Sequence, residues 1–212
     1  MRDGWTSESV LIVIAGPSAS GKTTFIDQIC CPKSSGLVEQ TFDVLGVPLD
    51  LDFRTIGANI ARKSIKRGED LTASRLHSLM HLDLTSQSRG KHLKFCPIIF
   101  SQFKSVYSIQ IYLPYRDWLK RIRRRVETGQ SVSDRVKKLI DYAENNYSLG
   151  QRLYQKLYAR WENYLDLRCV RSRVTIDTVS KIVFEKPPAA IRRNLFGRVV
   201  YSAICRRPLL TS

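Results

Sequence analysis

A lysine and several hydroxyl residues set between two glycines form the stretch best equipped for chemistry. Gly16, Pro17, Ser18, Ala19, Ser20, Gly21, Lys22 and Thr23 fit the pattern G-x-x-x-x-G-K-[ST] in full, and Thr24 follows directly. Glycines at both ends let the main chain turn tightly, so that successive N–H groups converge on one anion. The lysine ammonium suits the bridge between β- and γ-phosphates, and the Thr23 hydroxyl suits a hard divalent cation. This pattern implies a nucleoside triphosphate held with Mg²⁺ by Gly16 to Thr24, with Lys22 as the group that meets the transferring phosphate.

Such a loop works only between a strand that ends at its first glycine and a helix that starts at its lysine. Val10–Ala15 is a short β-branched apolar run of the length of a buried parallel strand. Phe25, Ile26 and Ile29 then recur at helical spacing. A second apolar run, Leu76 to Leu82, ends at Asp83, and a carboxylate at the end of a neighbouring strand can hold Mg²⁺ directly or through water. Thr23 and Asp83 are therefore the candidate metal residues. His77 and His81 share one face of that strand but stand about 13 Å apart, too far to bind one zinc ion together.

The wording of the loop, Ile12 to Phe25 (IVIAGPSASGKTTF), resembles that of guanylate kinase and its small P-loop kinase relatives. The resemblance implies a three-layer α/β P-loop NTPase fold with a parallel sheet of about five strands, ATP as donor and Mg²⁺ as cofactor. It also implies acceptor-binding groups after the second strand, where Asp50, Asp52 and Arg54 stand. Further ones are expected after the aspartate-ended strand, where Gln87 and Arg89 stand. In these kinases an arginine-rich helix leads into a lid. Tyr115–Glu127 matches that description, with Trp118, Leu119, Ile122 and Val126 on its apolar face. Arg121 and Arg125 lie four apart on one face and are the expected catalytic arginines, with Thr128 to Ser131 as the lid hinge. Arg67-Gly68-Glu69 matches a fragment of the guanylate-kinase acceptor segment without its surrounding tyrosines and acids, so GMP is not indicated.

Elsewhere the pattern predicts a short strand and turn over Leu37–Leu51, broken by Gly46 and Pro48. It predicts a basic amphipathic helix over Ile56–Asp70, a strand over Val106–Leu113 and a last parallel strand near Arg173–Asp177. Val132–Leu167 reads as one or two helices, divided at Gly150. Residues 1–180 form the expected kinase-like domain, and 181–212 a basic extension with seven Lys or Arg against one Glu. That extension either packs on the core, is disordered, or makes peripheral contact with an anionic membrane.

The chain has 212 residues, 43% of them hydrophobic, enough for one sizeable core and too few for two ordinary domains. Its formal net charge of +16 favours anionic partners. None of the common nucleic-acid signatures is present. Five cysteines without C-x-x-C spacing point to reduced thiols and a cytoplasmic setting. The apolar run near the N-terminus feeds the phosphate loop, which argues against reading it as a cleaved leader. The function expected is an ATP-dependent phosphotransferase acting on a small hydroxyl- or phosphate-bearing acceptor. The alternatives are a regulatory or assembly NTPase working through a partner, a sulfotransferase-like enzyme, and a protein binding nucleic acid by its basic surface.

Overall fold

Strand β1 (Val10–Gly16) is buried along its whole length, and the rest of the molecule is arranged on its two faces. The computed structural model describes residues 8–30, 36–73, 76–166, 168 and 170–185. In chain order β1 is followed by helices α1 (Lys22–Ile29) and α2 (Gly36–Leu45), strand β2 (Phe53–Gly57), α3 (Ala58–Lys66) and β3 (His77–Asp83). Then come α4 (Arg89–Ser101), β4 (Ser105–Tyr112), α5 (Tyr115–Glu127), α6 (Asp134–Asn145), α7 (Tyr147–Asp166), β5 (Ser172–Asp177) and β6 (Ile182–Phe184). The sheet runs β2-β3-β1-β4-β5-β6, with five parallel strands and an antiparallel edge strand, β6.

Alternation along β1 divides the core into two layers. Val10, Ile12 and Ile14 meet Phe25, Ile26 and Ile29 of α1 and Val38, Phe42 and Leu45 of α2. Leu11, Val13 and Ala15 face the layer built from α3, α4, α5, α6 and α7, where Trp118, Tyr154 and Trp161 supply most of the bulk. Both faces of a parallel sheet are thus covered, as its right-handed crossovers require. The architecture is the expected three-layer α/β sandwich. Among the described residues no helix is long and apolar enough to cross a membrane.

Three local expectations are corrected. Residues 36–45 form α2, not a strand: Val38, Thr41, Phe42 and Leu45 are buried at helical spacing, and Gly46 (φ +68°) ends the helix. Val126 is 45% exposed, so the apolar stripe of α5 stops at Ile122. The break between α6 and α7 falls at Asn146, whose backbone (φ −159°, ψ 78°) is not helical, and not at Gly150. Within the basic extension, Ile182–Phe184 pair with β5, and residues 186–212 lie outside the described residues.

Gly150 has a packing role in the first turn of α7. A Cβ there would lie 2.3 Å from the Tyr115 hydroxyl and 3.1 Å from the Tyr142 Cβ. Tyr115 cannot swing away freely, because its hydroxyl donates to the Leu139 carbonyl at 2.6 Å. Gly150→Ala is expected to cost about 1–3 kcal/mol in urea unfolding. Gly90→Ala, in the first turn of α4 with open space around it, should be neutral or stabilise by up to about 1 kcal/mol.

Candidate functional site

The parallel register pairs Gly16 at the end of β1 with Asp83 at the end of β3, so the Gly16–Thr23 loop and the acid emerge side by side. Asp83 then ties the loop down. One carboxylate oxygen accepts from the Ser18 hydroxyl at 2.9 Å, and the other from the Thr85 N–H at 2.8 Å and the Thr85 hydroxyl at 2.6 Å. The Ser18 N–H donates in turn to the Thr85 hydroxyl oxygen at 3.0 Å. The loop is also held from the helical layer, where the Trp118 indole N–H donates to the Ser18 carbonyl at 2.8 Å.

The loop's backbone needs its glycines. A Cβ on Gly16 would stand 2.7 Å from the Ser20 hydroxyl and 2.9 Å from the Ile111 carbonyl. Gly21, at φ +101°, lies in the left-handed region that side chains disfavour. Ala19 adopts φ +61° there as well, a mild strain held by the fixed loop around it. Ser20 leaves its buried hydroxyl without a partner, so the loop's interior has polar capacity to spare.

Lys22 lies under this loop, only 8% exposed, and its ammonium donates to the carbonyls of Gly16 at 2.8 Å and Pro17 at 2.7 Å. Burial pulls its pKa down from 10.5 to about 8; Asp83 works against the fall, and the Arg125 charge adds to it. Thr23 and Thr24 open α1 with exposed side chains. The donor set of one hydroxyl and one carboxylate fits a hard divalent cation that completes its shell with phosphate and water. Among the described residues no three His, Cys, Asp or Glu side chains converge into an all-protein metal cage.

Arg121 reaches this site, and Arg125, one turn further along the same face of α5, is near enough for its charge to act on Lys22. Arg121 donates to the Ser20 carbonyl at 3.4 Å and stands 3.7 Å from where a Cβ of Gly21 would be. Trp118, Arg121 and Arg125 thus form one stripe of α5 directed at the loop, while Arg123 turns away to pair with Glu144 of α6 at 3.3 Å. The expected lid hinge is a tight helix end. Gln130 N–H donates to the Arg125 carbonyl and Gly129 N–H to the Val126 carbonyl, with Gly129 at φ +76°. A short connection then reaches Ser133, whose hydroxyl donates to the Thr85 carbonyl at 3.2 Å.

The other candidates separate by sheet end. Asp50 and Asp52 precede β2 rather than follow it, and Arg54 is paired with Ser78 near the start of β3. Arg54 is thus five strand residues, about 16 Å, from Asp83. The structure does not bring these three to the loop. Arg89 does arrive, at the start of α4, donating to the Leu84 carbonyl at 3.3 Å. Gln87 is engaged with Asp134 at 2.6 Å. His77 is buried edge-on against Phe53, and exposed His81 lies beside Gly57, its pKa lowered by partial desolvation and by the Lys22 charge.

Sequence reasoning missed Thr85, the indole bond of Trp118, and Arg135 in the first turn of α6. The Ser133-Asp134 pair is a helix-start signal that marks the last of these.

No family model and no curated protein matches this chain. A solved sugar kinase structure from Janibacter sp. HTCC2649 is similar at 12% identity, covering 88% of this chain and 91% of that one. Its TM-score is 0.33, which carries no argument about function.

The depressed Lys22 pKa predicts a pH effect with a definite sign. Binding a polyphosphate restores the ammonium's preference for its proton, so nucleotide affinity should fall as pH rises above about 8. Calorimetry above that pH, in buffers of differing ionisation enthalpy, should show proton uptake that disappears in Lys22→Arg. For folding, the unfolded chain holds this proton more tightly than the native one. The same group therefore adds stability as pH rises from about 8 toward 10.5.

Proposed function

We propose that the chain is a nucleoside-triphosphate-dependent phosphotransferase, with ATP and Mg²⁺ as donor and cofactor. The observation that carries this reading is the convergence at one sheet end of the loop, the buried Lys22 ammonium, Asp83 and two arginines from α5.

Each group has a task set by its position. The loop's backbone N–H groups and the start of α1 bind the phosphate chain, where oriented dipoles favour negative charge. Lys22 exchanges its bonds to the Gly16 and Pro17 carbonyls for contact with the outer phosphates. Asp83 keeps the loop in its binding shape through Ser18 and Thr85 before any ligand arrives, so little reorganisation opposes binding. Mg²⁺ bound at Thr23 and Asp83 would neutralise charge on the phosphate oxygens. Arg121 and Arg125 project from outside the loop toward the phosphate end farthest from the base, where charge is redistributed as the phosphoryl group moves.

Lys22→Ala is the direct test. It should remove measurable ATP–Mg²⁺ binding by calorimetry while leaving circular dichroism and melting intact. Unchanged affinity would remove the phosphate-loop assignment. For the arginines, Arg121→Ala and Arg125→Ala should each lower turnover by about a hundredfold with little change in ATP affinity. Arg123→Ala, whose side chain is committed to Glu144, should retain near wild-type turnover. Equal losses at all three positions would indicate a general surface-charge effect instead.

A further inference from the structure

The helices on the two sides of the sheet differ in charge. Helices α1 and α2 hold Asp27, Glu39 and Asp43 on their exposed sides, and their one base, Lys22, is buried under the loop. Helices α3 and α4, in the other layer, hold Arg62, Lys63, Lys66, Arg89, Lys91 and Lys94 and no acid. On α4, Lys91, Lys94 and Ile98 fall on one exposed ridge at spacings of three and four. On α3, Ile60 and Lys63 lie one turn apart, and Lys66 follows a turn later, all exposed. Ile60 is 57% exposed, the most of any large hydrophobic side chain among the described residues, and Ile98 is 49% exposed. The two ridges are neighbours, because the Lys66 ammonium of α3 lies 5.7 Å from the centre of the Phe95 ring of α4. The surface continues onto α7, whose Tyr164 hydroxyl donates to the Leu93 carbonyl of α4 at 3.0 Å. There Arg152, Lys156 and Arg160 recur at every fourth residue, all exposed. Among the described residues, Lys63, Lys91, Lys94, Arg152, Lys156 and Arg160 are in no ion pair.

Spaced cations with a bulky aliphatic side chain set among them suit a lipid surface better than a dissolved anion. Lysines beside an anionic headgroup layer gain electrostatic attraction, and their apolar stems can lie along the acyl boundary that an isoleucine enters. Single-stranded nucleic acid is held instead by a groove with aromatic rings for the bases to stack on, and neither ridge presents an exposed aromatic ring. We propose that the outer face of α3, α4 and α7 is a docking surface for an anionic lipid bilayer, on which the chain lies with α1 and α2 turned away. The exposed acids of α1 and α2 reinforce that orientation, since a negative surface repels them. This docking surface does not depend on the phosphotransferase reading.

The test is sedimentation of the full chain with vesicles of phosphatidylcholine alone, or of phosphatidylcholine and phosphatidylserine in equal parts. Binding is expected to the mixed vesicles only, and it should weaken as salt is raised. Lys63→Gln combined with Lys94→Gln should weaken it by about tenfold or more. Ile60→Ser combined with Ile98→Ser should also weaken it, without changing its dependence on salt. All four side chains are exposed, so these variants keep their fold. Arg171→Gln combined with Lys181→Gln removes the same net charge outside the three helices and should leave binding near wild type. Lack of binding to the mixed vesicles overturns the proposal, as does equal binding to phosphatidylcholine alone. Indifference to the two lysine substitutions overturns it as well, and would move the contact to another basic stretch such as residues 186–212. Wild-type vesicle binding by the isoleucine variant, together with competition by a single-stranded oligonucleotide through the same lysines, would make the surface a nucleic-acid contact and overturn the assignment to a bilayer.

Discussion

The carboxylate of Asp83 is the contact on which the site depends. It sits at the end of β3, next to the last residue of β1, and it accepts from both the loop (Ser18) and the segment beyond itself (Thr85). Hydrogen bonds to an ionised acceptor are roughly twice as strong as neutral ones. Three of them at one group fix two connections that would otherwise move independently. The Thr85 hydroxyl closes the circuit by accepting from the Ser18 N–H. Parallel pairing is the precondition, because only that register brings the two strand ends level.

From this junction the basic character of the chain takes on a local meaning. A net charge of +16 is compatible with many surfaces, but much of the charge nearest Asp83 is directed. Lys22 lies below the loop, Arg121 and Arg125 come from α5, and Arg89 and Arg135 bond the carbonyls of Leu84 and Ser86 on either side of Thr85. Other cations are neutralised on the outside of the molecule, as Arg123 is by Glu144 and Lys137 by Asp134. Exposed pairs of that kind contribute at most about 1 kcal/mol each. The unpaired groups are the ones whose charge remains available to a ligand.

How much of this could be read in advance depended on whether the determinant was local. The loop, β1, α1, the end of β3 at Asp83 and the extent of α5 follow from residues adjacent in the chain, and all were legible. The nearness of Arg121 and Arg125 to the loop followed from a family resemblance and from their shared helix face. Helix α2 was misread because Gly46 and Pro48 were taken to interrupt the apolar run, whereas they follow the helix. Helix α4 carries no clean apolar stripe and contains Pro97, so its period is hidden. Gly150 looked like a breaker because a close approach to Tyr115 cannot be seen in one dimension. Asp50, Asp52 and Arg54 lie away from the loop for one reason: β2 begins after the aspartates, which puts all three toward the opposite end of the strands. Contacts between distant segments, such as Trp118 to Ser18 or Arg135 to Ser86, had no signature in the sequence.

The bond from the Trp118 indole to the Ser18 carbonyl has an optical consequence. The emission of an indole depends on what its N–H is bonded to, and this one is bonded to the main chain of the glycine-rich loop itself. Trp118 is fully buried and stacked on Tyr115, so bulk solvent contributes nothing to its surroundings. Trp161, the other tryptophan among the described residues, is buried in α7 against Tyr164 and has no such link to the loop. The chain therefore carries a native fluorophore wired to its loop, and a shift of that carbonyl by a fraction of an ångström can be followed without attaching a dye.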